Sequence, residues 1–373
     1  MLDFATLERM GHEQVVFCSQ PEVGLRAIIA LHNTALGPGM GGVRMWAYES
    51  DGAALIDVLR LSKAMAYKAA LAGLNFGGGK AVIIGDPKRD KSEGLFRAFG
   101  RFVDSLGGRY VATEDVGITP ADLHYVLMET RHVVGVDPRR GGAGNPGPFT
   151  AHGVFEGLAA CLESRLPGKQ IGDLTVAVQG VGSVGGALVR RLCAAGARVV
   201  VSDIDAPRAE ALAGELKGVR VVTPADIYDV TCDVFAPCAL GAVVNRDTIG
   251  RLKCSIVAGA ANNQLAADDL AEELERRGIL YAPDYAINAG GLINVAVEYE
   301  GYDEQRAYAI INRIPQTLQA IFDMAKRECL TTAEAADRMA ERRMHTIAAI
   351  QRPYQACPPA ARYPARSAQS PVG

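Results

Sequence analysis

Long apolar runs are missing from this sequence. No stretch of about 18 consecutive apolar residues occurs, so a helix that crosses a membrane is not expected. The first residues, MLDFATLERMGHEQ, mix acids, bases and a histidine, and they lack the apolar core of a secretory signal peptide. We therefore expect a cytoplasmic protein that does not bind membranes.

An excess of charge of one sign is also missing. Lys and Arg total 39 against 42 Asp and Glu, which leaves a net charge of −3. A nucleic-acid-binding protein usually has a basic excess, so nucleic acid is not expected as a partner. The eight cysteines include no CxxC pair and the six histidines no HxxxH or HExxH spacing. We expect no metal site and interpret the cysteines as buried thiols in a reducing cytosol.

Glycine is abundant, with 41 of 373 residues, against an average usage of about 7%. Hydrophobic residues make up 49% and charged residues 22%, which is typical of a globular protein. At about 150 residues per domain the length predicts two domains. The Gly- and Pro-rich stretch DPRRGGAGNPGP at residues 137–148 is the predicted joint between them.

The half of the chain before this joint contains mixed elements. Apolar and β-branched runs at residues 14–19, 25–31 and 80–84 predict strands. Residues 51–72 read as a long helix with Ser50 as N-cap and Gly73 beyond its end. Two further helices are predicted at residues 91–106 and after Thr119, where Thr-Pro-Ala-Asp combines an N-cap with proline at the first helical position.

After the joint, apolar runs alternate with helical segments. The predicted strands are residues 174–180, 197–203, 219–222, 233–236, 255–260 and 279–282. Apolar runs between helices indicate a doubly wound parallel sheet, hence an α/β fold. The chain is helical again from Asp303, and Thr331-x-x-Glu334 predicts a capping box. Residues 352–373 contain five prolines and no acid, so we expect a disordered tail.

A GxGxxG motif at residues 180–185 follows one predicted strand and opens a helix. Gly180 permits a tight turn, Gly182 lets the backbone approach a pyrophosphate, and Gly185 lets the helix pack on the strand. The pyrophosphate would lie at the helix N-terminus beside Val184. In this context the motif predicts a dinucleotide site, against the alternative of a plain βαβ turn.

Asp203 ends the next predicted strand, 18 residues after Gly185. A carboxylate here binds both ribose hydroxyls and repels a 2′-phosphate, which favours NAD over NADP. Arg208 could accommodate a 2′-phosphate, but it lies five residues further on, where the next helix is predicted.

Lys80 follows three glycines at residues 77–79. A phosphate-binding loop would need Ser or Thr after this lysine, whereas Ala81 stands there. We interpret the glycines as room for a small substrate to approach Lys80 closely.

Lys68 lies in the helical stretch MAYKAAL, which is otherwise almost wholly apolar. Met65 shares its helix face and offers an apolar wall, while Asp115 supplies a carboxylate at a predicted strand end. Two neighbouring lysines lower each other's pKa, and a neutral lysine can act as a general base. Taken singly, each of these residues is better explained by a surface or capping role.

Longer motifs resemble the superfamily of glutamate, leucine, phenylalanine and valine dehydrogenases, most of all its leucine-specific members. The resemblance covers about residues 10–345. It rests on GPGMGGVRM at 37–45, KAMAYK at 63–68, GLNFGGGK at 73–80, EDVG at 114–117, GNP at 144–146, APCALG at 236–241, GAANNQ at 259–264 and PDYAINAGG at 283–291.

The resemblance implies reversible oxidative deamination of an L-amino acid to a 2-oxo acid and ammonium, with hydride passing to NAD⁺. It implies a substrate-binding and oligomerisation domain at residues 1–147, joined by helices at about 330–351, and a Rossmann-type NAD-binding domain at 148–329. The active site would be the cleft between them, and the protein a homo-oligomer.

Site residues follow by matching motif. Lys68 would bind the substrate α-carboxylate, Lys80 would be the general base, and Asp115 would shuttle protons. Asn262 and Thr150 would lie near the nicotinamide.

The resemblance also implies an aliphatic substrate. Met40, beside Gly41, stands where glutamate-specific relatives usually carry a lysine, and an apolar pocket disfavours an unpaired carboxylate. Leu292 is bulkier than its counterpart in phenylalanine-specific relatives, and Val295 would complete the wall. Thr113 replaces the alanine common in leucine-specific members and would tighten the pocket.

We therefore expect deamination of a branched-chain L-amino acid, leucine before isoleucine and valine. A CH₂ group is worth only about 1–3 kcal/mol of discrimination, so overlap among these substrates is expected. A phenylalanine or valine dehydrogenase is the nearest alternative. A catalytically inactive NAD-binding paralogue is the alternative from another class, and the retained Lys68, Lys80 and Asp115 argue against it.

Overall fold

The computed structural model describes residues 4–140 and 142–350. Within these residues one sheet of five strands precedes the predicted joint and one of six strands follows it. This confirms the predicted α/β class with a doubly wound parallel sheet in the second half. The tail predicted to be disordered, residues 352–373, lies outside the described residues.

The first sheet has the strand order β1-β2-β4-β3-β5. Its strands are β1 (Gln14–Gln20), β2 (Leu25–Asn33), β3 (Gly39–Trp46), β4 (Gly77–Ile84) and β5 (Tyr110–Glu114). The β1–β2 and β2–β4 pairs are antiparallel, whereas β3 runs parallel to both β4 and β5. The parallel central strands bring the carboxyl ends of β3 and β5 to the same edge of the sheet.

Helices cover both faces of this sheet. The first half contains α1 (Phe4–Met10), α2 (Asp51–Leu71), α3 (Glu93–Ser105) and α4 (Pro120–Leu127). Ile28 packs in a cluster with Val58 of α2, and its neighbour Ile29 in a cluster with Phe96 of α3, because successive strand residues point to opposite faces. The N-caps predicted for α2 and α4 at Ser50 and Thr119 are confirmed.

The three glycines before Lys80 do not form an open loop. They belong to β4, and a Cβ atom on Gly78 would lie 2.3 Å from the carbonyl oxygen of Ser62 in α2. A Cβ atom on Gly79 would lie 2.7 Å from the ring of Tyr110. The interpretation of these glycines as room for a substrate is therefore wrong, since they let a helix and an aromatic ring pack onto the strand.

The second sheet is parallel throughout, with the order β11-β10-β9-β6-β7-β8. Its strands are β6 (Thr175–Gln179), β7 (Arg198–Ser202), β8 (Val219–Val221), β9 (Val234–Pro237), β10 (Ile256–Val257) and β11 (Leu280–Tyr281). Each lies within a predicted run or one residue beyond it, although β10 and β11 are shorter than predicted.

Helices surround the second sheet and then return to the first half. They are α5 (Gly147–Arg165), α6 (Ser183–Ala194), α7 (Ala206–Glu215), α8 (Leu270–Arg276), α9 (Asp284–Ile287), α10 (Gly290–Tyr299), α11 (Glu304–Ile311), α12 (Ile314–Glu328) and α13 (Thr332–Ala348). The capping box predicted at Thr331 is confirmed. Tyr67 of α2 donates to Glu341 of α13 over 2.6 Å.

Seven cysteines fall within the described residues and all are free. Cys18 and Cys161 are buried, four are partly buried, and Cys329 is exposed. The prediction of uniformly buried thiols is therefore wrong for Cys329, which ends α12 with a positive φ of 52°.

Two features are absent from the described residues. None of their helices is long and apolar enough to span a bilayer. Over the same residues, no group of three His, Cys, Asp or Glu side chains is placed to hold a metal ion.

Candidate active site

A cavity of about 250 Å³, here called the central cavity, lies between the two halves of the molecule. Most of the predicted site residues meet in its wall. They are Met65, Lys68, Lys80, Thr113, Asp115, Thr150, Val184, Asn262, Leu292 and Val295. The wall does not include Met40, Gly41, Gly180, Gly182, Gly185 or Asp203.

Lys80 and Asp115 form an ion pair in this wall. Lys80 Nζ lies 2.8 Å from Asp115 Oδ2, and the two side chains are only 6% and 18% exposed. Lys80 stands in the middle of β4, while Asp115 follows the last residue of β5. The predicted position of Asp115 at a strand end is confirmed.

Arg44 on β3 reaches the same carboxylate. Its Nε donates to Asp115 Oδ2 over 3.0 Å. Burial alone would raise the pKa of Asp115, but the charges of Lys80 and Arg44 outweigh burial and hold this pKa at about 2. Asp115 is therefore ionised at neutral pH and accepts hydrogen bonds from two cations.

Asp57 holds Arg44 from the other side, and Tyr48 in turn binds Asp57. Arg44 Nη1 donates to Asp57 Oδ2 over 3.0 Å, and the hydroxyl of Tyr48 donates to the same oxygen over 2.6 Å. The sequence interpretation missed Arg44 although it stands in the motif at residues 37–45. Its partner Asp115 is 71 residues away in the chain, so only the pairing of β3 with β5 makes the contact visible.

Lys68 faces Asn262 across the central cavity. Its Nζ donates to Asn262 Oδ1 over 2.9 Å, and Asn288 Nδ2 donates to the same oxygen over 2.9 Å. The pKa of Lys68 is lowered to about 8, mainly by burial and also by the nearby Lys80, while Asp284 and Asp115 oppose the shift. Lys68 therefore remains mostly protonated at pH 7 and offers a buried cation to an anionic group.

Asp284, the first residue of α9, also lines the cavity and is 6% exposed. It accepts a hydrogen bond from the backbone N–H of Gln264 over 2.7 Å. Burial raises its pKa, although this hydrogen bond and Lys68 oppose the rise. Asp284 belongs to the motif at residues 283–291, but the sequence alone assigns it no role. The proximity of Asp284 to Lys68 depends on how α9 packs against α2.

One end of the cavity is mostly apolar. Leu292 and Val295 from α10 stand near Thr113 of β5 and Gly135, which has a positive φ of 80°. A Cβ atom on Gly135 would lie 2.8 Å from Thr113 Oγ1 and 3.8 Å from Val295 Cγ1. We call these four residues the side-chain end of the cavity.

Met40 and Gly41, predicted to contact substrate, are not part of this end. The side chain of Met40 is fully buried in the apolar core. A Cβ atom on Gly41 would lie 1.9 Å from the carbonyl oxygen of Gly79, so Gly41 allows β3 and β4 to approach. The cavity wall meets β3 only from Gly42 onward.

The outer glycines of the GxGxxG turn allow close backbone packing. Gly180 has a positive φ of 89°, and a Cβ atom on Gly185 would lie 1.9 Å from the carbonyl oxygen of Gly180. A Cβ atom on Gly182 would meet nothing within 4 Å. Gly182 begins α6 without a side-chain cap, so the helix N-terminus offers free N–H groups to an anion.

Asp203 lies at the end of β7 beside this turn. Its Oδ2 accepts from the N–H of Val181 over 2.8 Å and its Oδ1 from the N–H of Asp205 over 2.9 Å. Arg208 lies in α7, as predicted, 3.7 Å from Asp203 and 3.0 Å from Asp205. Arg208 is thus already paired with carboxylates.

Comparison with known proteins gives the family. Residues 12–132 match the profile described as Glu/Leu/Phe/Val dehydrogenase, dimerisation domain, and residues 208–357 match that of Glutamate/Leucine/Phenylalanine/Valine dehydrogenase. The chain belongs to the Glu/Leu/Phe/Val dehydrogenase family. The prediction that it is an amino-acid dehydrogenase is confirmed.

Family members of similar sequence identity to this chain are named for different amino-acid substrates. The chain is 49% identical over 351 residues to leucine dehydrogenase of Geobacillus stearothermophilus, which covers 94% of this chain and 95% of that protein. It is 47% identical over 350 residues to phenylalanine dehydrogenase of Thermoactinomyces intermedius, covering 94% and 96%. The crystal structure of L-tryptophan dehydrogenase from Nostoc punctiforme has a TM-score of 0.81 at 48% identity, covering 93% and 99%.

Proposed function

We propose that this dehydrogenase catalyses the reversible oxidative deamination of a branched-chain L-amino acid, leucine before isoleucine and valine. The products are the 2-oxo acid, ammonium and NADH. The observation that carries this proposal is the meeting of Lys68, Lys80 and Asp115 in one cavity whose other end presents Leu292 and Val295.

Lys68, Lys80 and Asp115 have separate roles in the proposed reaction. Lys68 binds the α-carboxylate of the substrate, because it is a buried cation whose Nζ donates to a neutral asparagine oxygen. Lys80 acts in its unprotonated form and takes a proton from the water that attacks the imine carbon. Asp115, held 2.8 Å from Lys80, receives protons and returns them to the leaving ammonia. Burial of both groups strengthens their interaction.

The residues of the nucleotide site fit NAD. The uncapped N-terminus of α6 at Gly182 suits a pyrophosphate, and Asp203 suits the ribose hydroxyls and repels a 2′-phosphate. Thr150, Val184 and Asn262 line the cavity on the nucleotide side. When bound, NAD⁺ supplies the acceptor for the hydride that leaves the substrate Cα.

An aromatic L-amino acid is the second candidate substrate. It is favoured by the identities of 47% and 48% to proteins named phenylalanine and tryptophan dehydrogenase. Against it stand the branched Leu292 and Val295 and the hydroxyl of Thr113, which line the side-chain end.

Parallel assays decide between these candidates. NADH formation at alkaline pH is measured with leucine, isoleucine, valine, phenylalanine, tryptophan and glutamate. We expect leucine to give the highest kcat/KM and glutamate no activity, since an apolar wall leaves its distal carboxylate unpaired. Absence of activity with all aliphatic substrates would contradict the proposal.

The same assay, repeated with NADP⁺ in place of NAD⁺, tests the role of Asp203 in the choice of cofactor.

We also propose that the protein is a homo-oligomer in the cytoplasm. The match of residues 12–132 to a domain described as a dimerisation domain supports the oligomer, and the free cysteines suit a reducing compartment. Light scattering coupled to size-exclusion chromatography should give a mass of at least twice 39.5 kDa.

A further inference from the structure

Glu298 on α10 is a partly buried carboxylate that binds backbone instead of a cation. Its Oε2 accepts from the N–H of Gly135 over 2.9 Å and from the N–H of Ala143 over 2.7 Å. Among the described residues no salt bridge reaches Glu298. One side chain therefore holds the segment from residue 135 to 143 at two separated points.

Asn294 adds a second tie between α10 and the same segment. Its Nδ2 donates to the carbonyl oxygen of Ala143 over 3.3 Å, and its Oδ1 accepts from the hydroxyl of Tyr302 over 3.0 Å. Asn294 and Glu298 are four residues apart, so they lie on one face of the helix. This face of α10 is bound to the predicted joint.

The same helix and the same segment form the side-chain end of the central cavity. Val295 stands three residues before Glu298 on α10, and Gly135 is the residue that Glu298 holds. A Cβ atom on Gly135 would lie 3.8 Å from the side chain of Val295 and 2.8 Å from that of Thr113. The backbone of Gly135 therefore lies between these two side chains. The position of the Gly135 backbone therefore sets the separation of these two walls.

We propose that Glu298 is a positioning residue for substrate choice, which holds Gly135 against α10 and so keeps the side-chain end too narrow for an aromatic ring. The proposal rests on the proposed function. A carboxylate suits the task because hydrogen bonds to an ionised acceptor are roughly twice as strong as those to a neutral one. Both N–H groups bind the same oxygen, Oε2, so the neutral amide of Glu298→Gln can still accept both but holds the segment less tightly.

The test measures kcat/KM for leucine and phenylalanine in Glu298→Gln and Glu298→Asp. We expect the phenylalanine-to-leucine ratio of kcat/KM to rise about fivefold in Glu298→Gln, somewhat less than the roughly 10–200-fold that one methylene group controls in an apolar pocket. Most of the change should be a higher KM for leucine. Glu298→Asp keeps the carboxylate on a side chain one methylene shorter and should raise the ratio less. This variant replaces Glu298→Gln in the test if the glutamine variant does not fold.

Glu300→Gln is the matched control. Glu300 follows the end of the same helix, is exposed, and pairs with Arg306, so its loss should leave the ratio unchanged. An unchanged ratio in the Glu298 variants, or an equal fall for both substrates, would overturn the proposal and leave Glu298 a structural residue.

Binding without turnover separates this proposal from the proposed function. The affinities of 4-methylpentanoate and 3-phenylpropanoate, which lack the reacting amino group, are measured by calorimetry in the same variants. We expect Glu298→Gln to shift their affinity ratio towards 3-phenylpropanoate. If the wild type deaminates no amino acid, the proposed function fails, while this ratio still decides the role of Glu298.

Discussion

Among single residues, Asp115 is where the charges of the site converge. Its Oδ2 lies 2.8 Å from Lys80 and 3.0 Å from Arg44, and Arg44 is held in turn by Asp57. The cations make the carboxylate a weak base in the free enzyme, with a pKa of about 2. Proton transfer through Asp115 therefore depends on a change in the charge of Lys80 during the reaction.

Replacing Lys80 by alanine tests its assignment as the general base. We expect kcat for leucine deamination to fall by a factor of about 10² to 10⁴, the usual contribution of a positioned acid–base group. Binding of 4-methylpentanoate should change much less, because Lys68 remains to hold the carboxylate. Steady-state kinetics and inhibition constants measure both effects.

Lys169→Ala is the control for this variant. It also removes a lysine from a lysine–aspartate pair, at 2.7 Å from Asp233, but at a site where the lysine is 44% exposed. Full activity is expected for Lys169→Ala. Wild-type kcat in Lys80→Ala would show that the general base is another group.

The pKa of Lys68 predicts a pH dependence of substrate binding. Burial lowers this pKa to about 8, and a carboxylate binds the protonated form. Binding of 4-methylpentanoate should be strongest below pH 8 and weaken about tenfold per pH unit above it. The measurement is its inhibition constant between pH 6.5 and 9.5.

Lys68→Arg is the matched variant for the pH dependence. A guanidinium stays protonated across this range, so the loss of affinity above pH 8 should disappear even if binding is weaker overall. An inhibition constant of the wild type that does not change from pH 7 to pH 9.5 would contradict the assignment of Lys68.

At the scale of elements, the packing of α2 on β4 positions both lysines. Lys80 lies on β4, Lys68 lies on α2, and the close approach of the two elements depends on Gly78. A Cβ atom at Gly78 would be 2.5 Å from the Cβ atom of Ala66. The geometry of the catalytic groups therefore depends on a residue without a side chain.

Gly78→Ala should disturb stability and binding together. Overpacking typically costs about 1–3 kcal/mol, so the urea concentration at half-unfolding should fall. Because α2 must move away from β4, the KM for leucine should rise as well.

Gly214→Ala is the control. Gly214 lies in α7, and a Cβ atom there would meet nothing within 4 Å. This substitution should stabilise the folded protein by up to about 1 kcal/mol. Equal unfolding midpoints for the two variants would contradict this account.

At the scale of the whole molecule, α13 connects the two halves. Near its start, Thr332 donates to the carbonyl oxygen of Tyr281 in β11 over 2.7 Å. Near its end, Arg343 donates to the carbonyl oxygens of Ala70 and Leu74 over 2.9 and 2.8 Å. The last helix thus links the second sheet to the end of the helix that carries Lys68.

Arg343→Met should weaken this link. Methionine keeps an apolar side chain but donates no hydrogen bond. The carbonyl of Ala70 still accepts from the N–H of Gly73, whereas the carbonyl of Leu74 loses the arginine donor, and an unpaired carbonyl costs about 1–3 kcal/mol where it is buried. We expect a lower apparent Tm in scanning calorimetry and a higher KM for leucine, since α2 loses support at its C-terminus. Arg342→Met, at the exposed neighbouring position, should leave both unchanged. The same Tm in the two variants would show that α13 adds little to stability.

Local signals were predictable from the sequence at several places. The N-caps at Ser50, Thr119 and Thr331 depend only on residues within one helical turn, and the structure confirms them. The GxGxxG turn is similarly local. Asp284 and Glu298 could not be assigned, because their partners Gln264 and Gly135 lie 20 and 163 residues away.

The amino-acid sequence by itself determined the alternation of strands and helices, the nucleotide-binding turn and the family, because each depends on short patterns or on long motifs in order. Only the tertiary structure decided what the glycines at 77–79 do, which cations hold Asp115, and that Met40 lies in the core instead of the cavity wall. The physical reason is that burial and pairing are set by distances between strands and helices far apart in the chain.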